Sequence, residues 1–162
     1  LLRLPRPLRE PFLAALRQQP ALIVGGGPRE VVLRRLTAEG GLQDRVSFTG
    51  ALPPAQVLEL LERNRGSAVV LPSLSEGIPV SLMEAVARGI HVIASDVGGV
   101  AELMGPAEGT LVPPRDPDRL RLAIQDWWQN RGAKVGSRAE IVADHFCLSK
   151  NVATLVRWFG ES

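Results

Sequence analysis

Short apolar runs alternate with longer amphipathic segments along most of the chain. The runs are three to five residues long, and the segment between the second and third runs carries Val57, Leu60 and Leu61 at helical spacing. Uninterrupted apolar runs that alternate with helices are typical of a parallel sheet covered on both faces. We therefore predict an α/β fold, a Rossmann-like three-layer sandwich, with strands at Ala21–Val24, Arg45–Thr49, Ala68–Leu71, His91–Ala94 and Thr110–Val112.

Turn and capping residues divide the amphipathic segments into helices. Glycines at Gly25–Gly27 precede one helix, and Asp116 is a residue type that caps the start of another well. The predicted helices cover residues 11–19 and 28–38, the segment from the Pro53-Pro54 loop to Asn64, and residues 79–88, 116–129, 134–146 and 149–159.

The start of the helix at Pro79 is the most unusual point of the chain. Gly77, Ile78 and Pro79 provide no side chain of the usual capping type. The backbone N–H groups of Val80, Ser81 and Leu82 therefore lack an obvious partner, and an anion such as a pyrophosphate would satisfy them. The alternative is that Ser75 or the Glu76 carboxylate folds back to cap the helix.

Two glutamates flank this helix start. Glu76 lies in the loop before it and Glu84 lies eight positions later, inside the helix, so both carboxylates can face one ligand. The alternative for Glu84 is an exposed ion pair with Arg88, which would contribute only about 0.3 kcal/mol.

Composition excludes several other classes of protein. The 162 residues have a net charge of +2 and no arginine stripe with interleaved aromatic residues, so we expect no nucleic-acid partner. Cys147 is the only cysteine, which excludes an internal disulfide and is compatible with a reducing compartment. No apolar run approaches the roughly 18 residues of a membrane span. We expect residues 1–162 to form a single cytoplasmic domain. Any association with the inner face of the membrane would come from parts of the protein outside this sequence or from the acceptor.

Two other nucleotide or signalling classes fit poorly. After Gly25–Gly27 no third glycine follows at the spacing of a dinucleotide fingerprint, and no acidic residue ends the strand near Phe48. A receiver-like signalling domain needs an acidic cluster at the strand ends, whereas Asp96 stands alone there.

Four motifs in order resemble one enzyme family. They are Gly25–Pro28 after a strand, Val46–Gly50, the stretch from Pro72-Ser73 through Glu76, Glu84 and Gly89 to Gly98–Glu102, and Gly109–Pro113. Together they resemble the donor-binding domain of retaining GT-B glycosyltransferases of the family 4-like kind, the glycosyl transferases group 1. The resemblance implies the C-terminal half of a GT-B fold and an enzyme of glycan or polysaccharide biosynthesis. Its substrate would be a nucleotide-sugar, used without metal or cofactor.

The resemblance also implies a role for each motif residue. Glu84 would hold the ribose hydroxyls. The N–H groups of Val80 and Ser81 would hold the pyrophosphate. Glu76 would be the catalytic residue and would hold the sugar. The Gly77 and Ile78 backbone would also face the sugar. The segment from Gly50 to Leu52 would lie beside the base, and Arg3 would match a basic residue of the family's phosphate clamp.

The clamp leaves two functions open. The family's glycine before the arginine is Leu2 here, and Leu8 stands at the position of its lysine. If the clamp is degenerate, the chain would be a nucleotide-binding module without catalysis. If it is functional, the chain would be the donor half of an enzyme whose N-terminal acceptor domain is absent, and we expect the isolated chain to be inactive. The base, the sugar and the acceptor are not predicted.

Overall fold

The computed structural model describes residues 20–104 and 109–131. Strands and helices alternate through these residues as the hydrophobic pattern predicts. In chain order they are β1 (Ala21–Val24), α1 (Glu30–Glu39), β2 (Val46–Gly50), α2 (Pro54–Arg63), β3 (Ala68–Leu71), α3 (Val80–Ala87), β4 (His91–Ser95), α4 (Val100–Leu103), β5 (Gly109–Val112) and α5 (Pro117–Asn130).

The predicted elements within these residues are confirmed, with ends displaced by at most two residues. Helix α4 was not predicted from the sequence. Asp116 caps α5 as predicted, because its Oδ1 accepts a hydrogen bond from the Arg119 N–H at 2.9 Å. Arg3 and the predicted helices at 11–19, 134–146 and 149–159 lie outside the described residues.

Every strand pairing in the described residues is parallel, which confirms the predicted α/β class. The strands belong to two sheets: β1 pairs with β2, and β4 lies between β3 and β5. Contacts divide the chain into two compact units, one with the described residues up to Leu60 and Arg115–Asn130, the other with Leu61–Pro114. That residues 1–162 form one domain stays a prediction.

The second unit has a continuous apolar core around β4. Helix α3 contributes Leu82, Ala85 and Val86, each no more than 1% exposed. The rest of the core cluster comes from β4, α4 and the turn before β4, namely Ile90, Val92, Ala94, Val100 and Leu103. Because one face of α3 is fixed in this core, its first turn and the loop before it have a rigid support.

The first unit is less buried than its sequence predicts. Side chains alternate across a strand, and the outward positions of β1, Leu22 and Val24, are 45% and 42% exposed. The expectation that this apolar run forms a buried strand is therefore wrong for these two positions. Leu42 and Val46 are buried in this unit, and the Arg34 guanidinium lies 4.4 Å from the centre of the Phe48 ring.

Candidate functional site

The start of α3 has no side-chain cap. Pro79 has φ −72° and ψ 123°, an extended conformation, so it stands at the capping position and the first helical residue is Val80. This corrects the prediction that the helix opens at Pro79. No side chain caps α3 with a hydrogen bond, so the alternative in which Ser75 or Glu76 does so is wrong.

Two of the three N–H groups predicted to be free have no partner in residues 20–104 and 109–131. Those of Val80 and Ser81 make no hydrogen bond with the described residues, and both residues are exposed. The third prediction is wrong, because the Leu82 N–H donates to the Pro79 carbonyl oxygen at 3.0 Å, a tight first-turn contact. A ligand at this terminus would therefore meet two backbone donors rather than three.

Arg88, the basic residue nearest to Glu84 in the sequence, does not bind the Glu84 carboxylate. Arg88 Nη1 donates to the backbone carbonyl oxygen of Glu84 at 2.8 Å, not to its carboxylate. Arg88 Nε lies 3.6 Å from Glu62 Oε2, an ion-pair distance too long for a hydrogen bond. The alternative of an ion pair between Glu84 and Arg88 is therefore wrong. The Glu84 carboxylate has no ion pair or hydrogen bond within the described residues.

Glu76 is half-buried and is held by its own loop. The Ser73 hydroxyl donates to Glu76 Oε1 at 2.6 Å, a short bond of the kind made to carboxylates. This leaves Oε2 without a partner in the described part of the chain. The sequence pattern did not indicate this role of Ser73, although its position three residues before Glu76 permits such a local bond.

The turn at Gly98 and Gly99 packs directly on the Glu76 loop. A Cβ atom at Gly98 would overlap the Glu76 carbonyl oxygen, and one at Gly99 would lie 2.5 Å from Ile78 Cγ1. The Gly99 N–H donates to the Gly77 carbonyl oxygen at 3.0 Å. Gly98 also has φ +54°, which favours glycine. The backbone from Glu76 to Ile78 is therefore held by the turn that follows β4.

The segment predicted to lie beside a base belongs to the first unit. Gly50 ends β2 with φ +68°, and its carbonyl oxygen accepts from the Gly25 N–H at 2.9 Å. This bond joins the turns that follow β1 and β2, and Leu52 is half-buried just beyond it. The two glycine turns thus share one end of this sheet, where parallel strands present their ligand-binding loops.

A family model described as "Glycosyl transferases group 1" matches residues 12–143, most of the chain. The chain belongs to this family. Among curated relatives, a phosphatidylinositol N-acetylglucosaminyltransferase component of Arabidopsis thaliana is 30% identical over 165 residues, which is 91% of this chain and 36% of that protein. Other relatives are named as glycosyltransferases of teichuronic acid biosynthesis in Bacillus subtilis and of amylovoran biosynthesis in Erwinia amylovora.

Solved structures give the same fold. The sucrose-phosphate synthase of Thermosynechococcus elongatus matches with a TM-score of 0.76 and 30% identity, over 95% of this chain and 43% of that one. HepE of Anabaena, solved in complex with UDP, matches with a TM-score of 0.77 and 22% identity, over 94% of this chain and 45% of that one. The predicted Rossmann-like half of a GT-B fold is confirmed, and the chain spans less than half the length of these relatives.

Two kinds of feature are absent from the described residues of this glycosyl transferases group 1 chain. Residues 20–104 and 109–131 contain no cluster of three or more His, Cys, Asp or Glu side chains that could hold a metal ion. Across the same ranges, no helix combines the length and the apolarity needed to cross a membrane.

Proposed function

We propose that this chain is the donor-binding half of a retaining glycosyltransferase that uses a nucleotide-sugar. The sugar would pass to a glycan or lipid-linked acceptor held by an N-terminal domain. The observation that carries the proposal is the start of α3. Two exposed backbone donors and a carboxylate, none with a partner among the described residues, lie one helical turn apart there. Family membership supports glycosyl transfer as the reaction class.

The diphosphate is proposed to bind at Val80 and Ser81. Their N–H groups lie at the positive end of the helix dipole, where an anion is stabilised by about 0.3–1 kcal/mol at exposed sites. A Cβ atom at Gly77, two residues before Pro79, would meet nothing within 4 Å, so this side of the backbone is open to close approach of a ligand. Arg3, outside the described residues, is proposed as a further cation for the same group.

The ribose is proposed to bind at Glu84. Residues four apart on a helix lie on one face, about 6 Å apart along the axis, and helical side chains lean toward the N-terminus. The Glu84 carboxylate therefore extends toward the turn that begins at Val80. A carboxylate accepts two hydroxyl hydrogen bonds at once, which suits the adjacent 2′- and 3′-hydroxyls of a ribose.

The sugar is proposed to lie against Glu76 and the Gly77-Ile78 backbone, with the base beside Gly50–Leu52. Glu76 would accept hydrogen bonds from sugar hydroxyls through the oxygen that Ser73 leaves free. As the bond from the sugar to the diphosphate breaks, negative charge grows on the leaving phosphate. The donors at Val80 and Ser81 would then stabilise the transition state more than the ground state.

The proposed reaction needs no metal and no cofactor, because backbone donors and basic side chains take the place of a divalent cation. The isolated chain should therefore bind a nucleoside diphosphate whether or not a chelator is present. Calorimetric titration of UDP, GDP and ADP, each with EDTA and with added Mg²⁺, measures this directly. Binding of one of the three with the same Kd in both buffers is expected, and strict dependence on Mg²⁺ would contradict the metal-free site.

Transfer itself is proposed to need the acceptor domain, since catalysis depends on holding both reactants in one geometry. We expect the 162-residue chain to show no transfer above the uncatalysed rate from UDP-glucose or GDP-mannose to mixed glycan acceptors. Turnover by this chain alone at ordinary enzymatic rates would show that the acceptor site is contained in it. The proposed location is cytoplasmic, with membrane contact only through parts of the protein outside this chain or through the acceptor.

A further inference from the structure

Glu76 is held in place through both its side chain and its backbone. Its side chain is held by the Ser73 hydroxyl at 2.6 Å on Oε1. Its backbone is held by the Gly98-Gly99 turn, whose missing Cβ atoms allow close packing and whose Gly99 N–H binds the Gly77 carbonyl oxygen at 3.0 Å. A glutamate side chain otherwise retains three rotatable bonds, and ordering them opposes binding.

We propose that Ser73 is a positioning residue that orients Glu76 for the sugar part of the donor. This inference rests on the proposed function, because it assigns Ser73 a role through the residue proposed to face the sugar. The hydroxyl occupies Oε1 and leaves Oε2 to accept from the ligand. Ser73 thus determines how strongly the site distinguishes a nucleotide-sugar from the nucleoside diphosphate alone.

Because Ser73 acts through Glu76, its substitution should affect binding of the nucleotide-sugar and not binding of the nucleoside diphosphate. Without the hydroxyl, Glu76 samples other rotamers and must be ordered by the ligand. Ser73→Ala should weaken binding of the nucleotide-sugar about three- to tenfold, the range expected for one ordinary hydrogen bond. Binding of the matching nucleoside diphosphate, which makes no contact with Glu76 in this proposal, should not change.

The chain provides a matched control. Ser75 lies in the same loop, is exposed, and makes no hydrogen bond within the described residues. Ser75→Ala should leave both affinities unchanged. Ser73→Thr retains the hydroxyl and should restore most of the preference for the nucleotide-sugar.

A double-mutant cycle tests the coupling between Ser73 and Glu76. UDP with UDP-glucose, GDP with GDP-mannose, and ADP with ADP-glucose are titrated into the wild-type chain and into S73A, E76A and the double variant. E84Q is titrated in parallel. If Ser73 acts through Glu76, S73A has little further effect on nucleotide-sugar affinity in the E76A background, where Ser73 has no carboxylate to orient. Melting temperatures of all variants are recorded to detect changes in stability alone.

Two results would overturn the inference. One is an unchanged ratio of the two affinities in S73A, whether both fall equally or neither changes. The other is a full S73A effect in the E76A background. A lower melting temperature with an unchanged ratio of the two affinities belongs to the first of these, because it would mean that Ser73 has only a structural role. The proposed function fails separately: if the wild-type chain binds none of the six ligands, or if E84Q binds the diphosphates as the wild type does, the donor site itself is wrong.

Discussion

Replacing Glu84 with glutamine is expected to weaken nucleoside diphosphate binding by roughly 1.5–3 kcal/mol, or about 10- to 150-fold in Kd. The proposed ribose site depends on a charged acceptor, and the glutamine side chain keeps the size but loses the charge and one acceptor oxygen. The fold should not change, because the described residues make no ion pair or hydrogen bond to this carboxylate. Calorimetric titration together with a melting curve separates binding from stability.

Glu62 offers a matched control for this substitution. It is a glutamate of the same compact unit, its side chain is 52% exposed, and it pairs with Arg65 and Arg88. Surface pairs of this kind contribute little, so Glu62→Gln should leave both stability and affinity nearly unchanged. Equal losses of affinity in the two variants would mean that Glu84 acts only through the general charge of the surface.

Replacing Gly98 with alanine is expected to lower the free energy of unfolding by about 2–5 kcal/mol. Two causes add: a Cβ atom at positive φ costs about 1–2 kcal/mol, and its overlap with the Glu76 carbonyl oxygen forces the backbone to move at a further 1–3 kcal/mol. A loss of this size is a large share of the stability of an ordinary domain, about 5–15 kcal/mol. Urea denaturation followed by circular dichroism measures it.

Gly41→Ala isolates the conformational part of this effect. Gly41 has φ +63°, close to that of Gly98, but a Cβ atom there would meet nothing within 4 Å. Gly41→Ala should therefore lower the free energy of unfolding only by the cost of a Cβ atom at positive φ, about 1–2 kcal/mol. If Gly41→Ala and Gly98→Ala lower the free energy of unfolding by the same amount, a Cβ atom at Gly98 does not clash with the Glu76 loop. Movement of that loop in a stable Gly98→Ala variant should also weaken nucleotide-sugar binding more than diphosphate binding.

The local sequence was sufficient to predict the elements around the site. Periodicity located α3 and the apolar run located β4, because both depend on neighbours within a few residues. The absence of a capping side chain before Val80 was also predictable from the residue types at Gly77, Ile78 and Pro79. These features explain why the start of α3 stood out in the sequence.

Contacts between distant segments were not predictable in the same way. The approach of Gly98 to the Glu76 carbonyl joins two loops separated by a helix and a strand, and no spacing rule encodes it. The alternative pairing of Glu84 with Arg88 followed a sound local rule, yet Arg88 instead contacts the Glu84 carbonyl and Glu62 on a neighbouring helix. Tertiary contacts decided between two locally acceptable arrangements.

Burial was predicted well for β4 and badly for β1, although both runs are apolar. Four of the five residues of β4 are buried, and the strand has a partner on each side. Within the described residues β1 pairs only with β2, and its side chains alternate between half-buried and exposed. An apolar run therefore predicts a strand, while the number of its neighbours determines how deeply it is buried.

A crystal structure of the chain with a bound nucleoside diphosphate would test the proposed donor site most directly. We expect the ribose hydroxyls and the Glu84 carboxylate, and likewise the diphosphate oxygens and the N–H groups of Val80 and Ser81, at ordinary hydrogen-bond distances of about 2.7–3.2 Å. A nucleotide bound elsewhere on the chain, with these two N–H groups and the Glu84 carboxylate in contact only with water, would contradict the proposal.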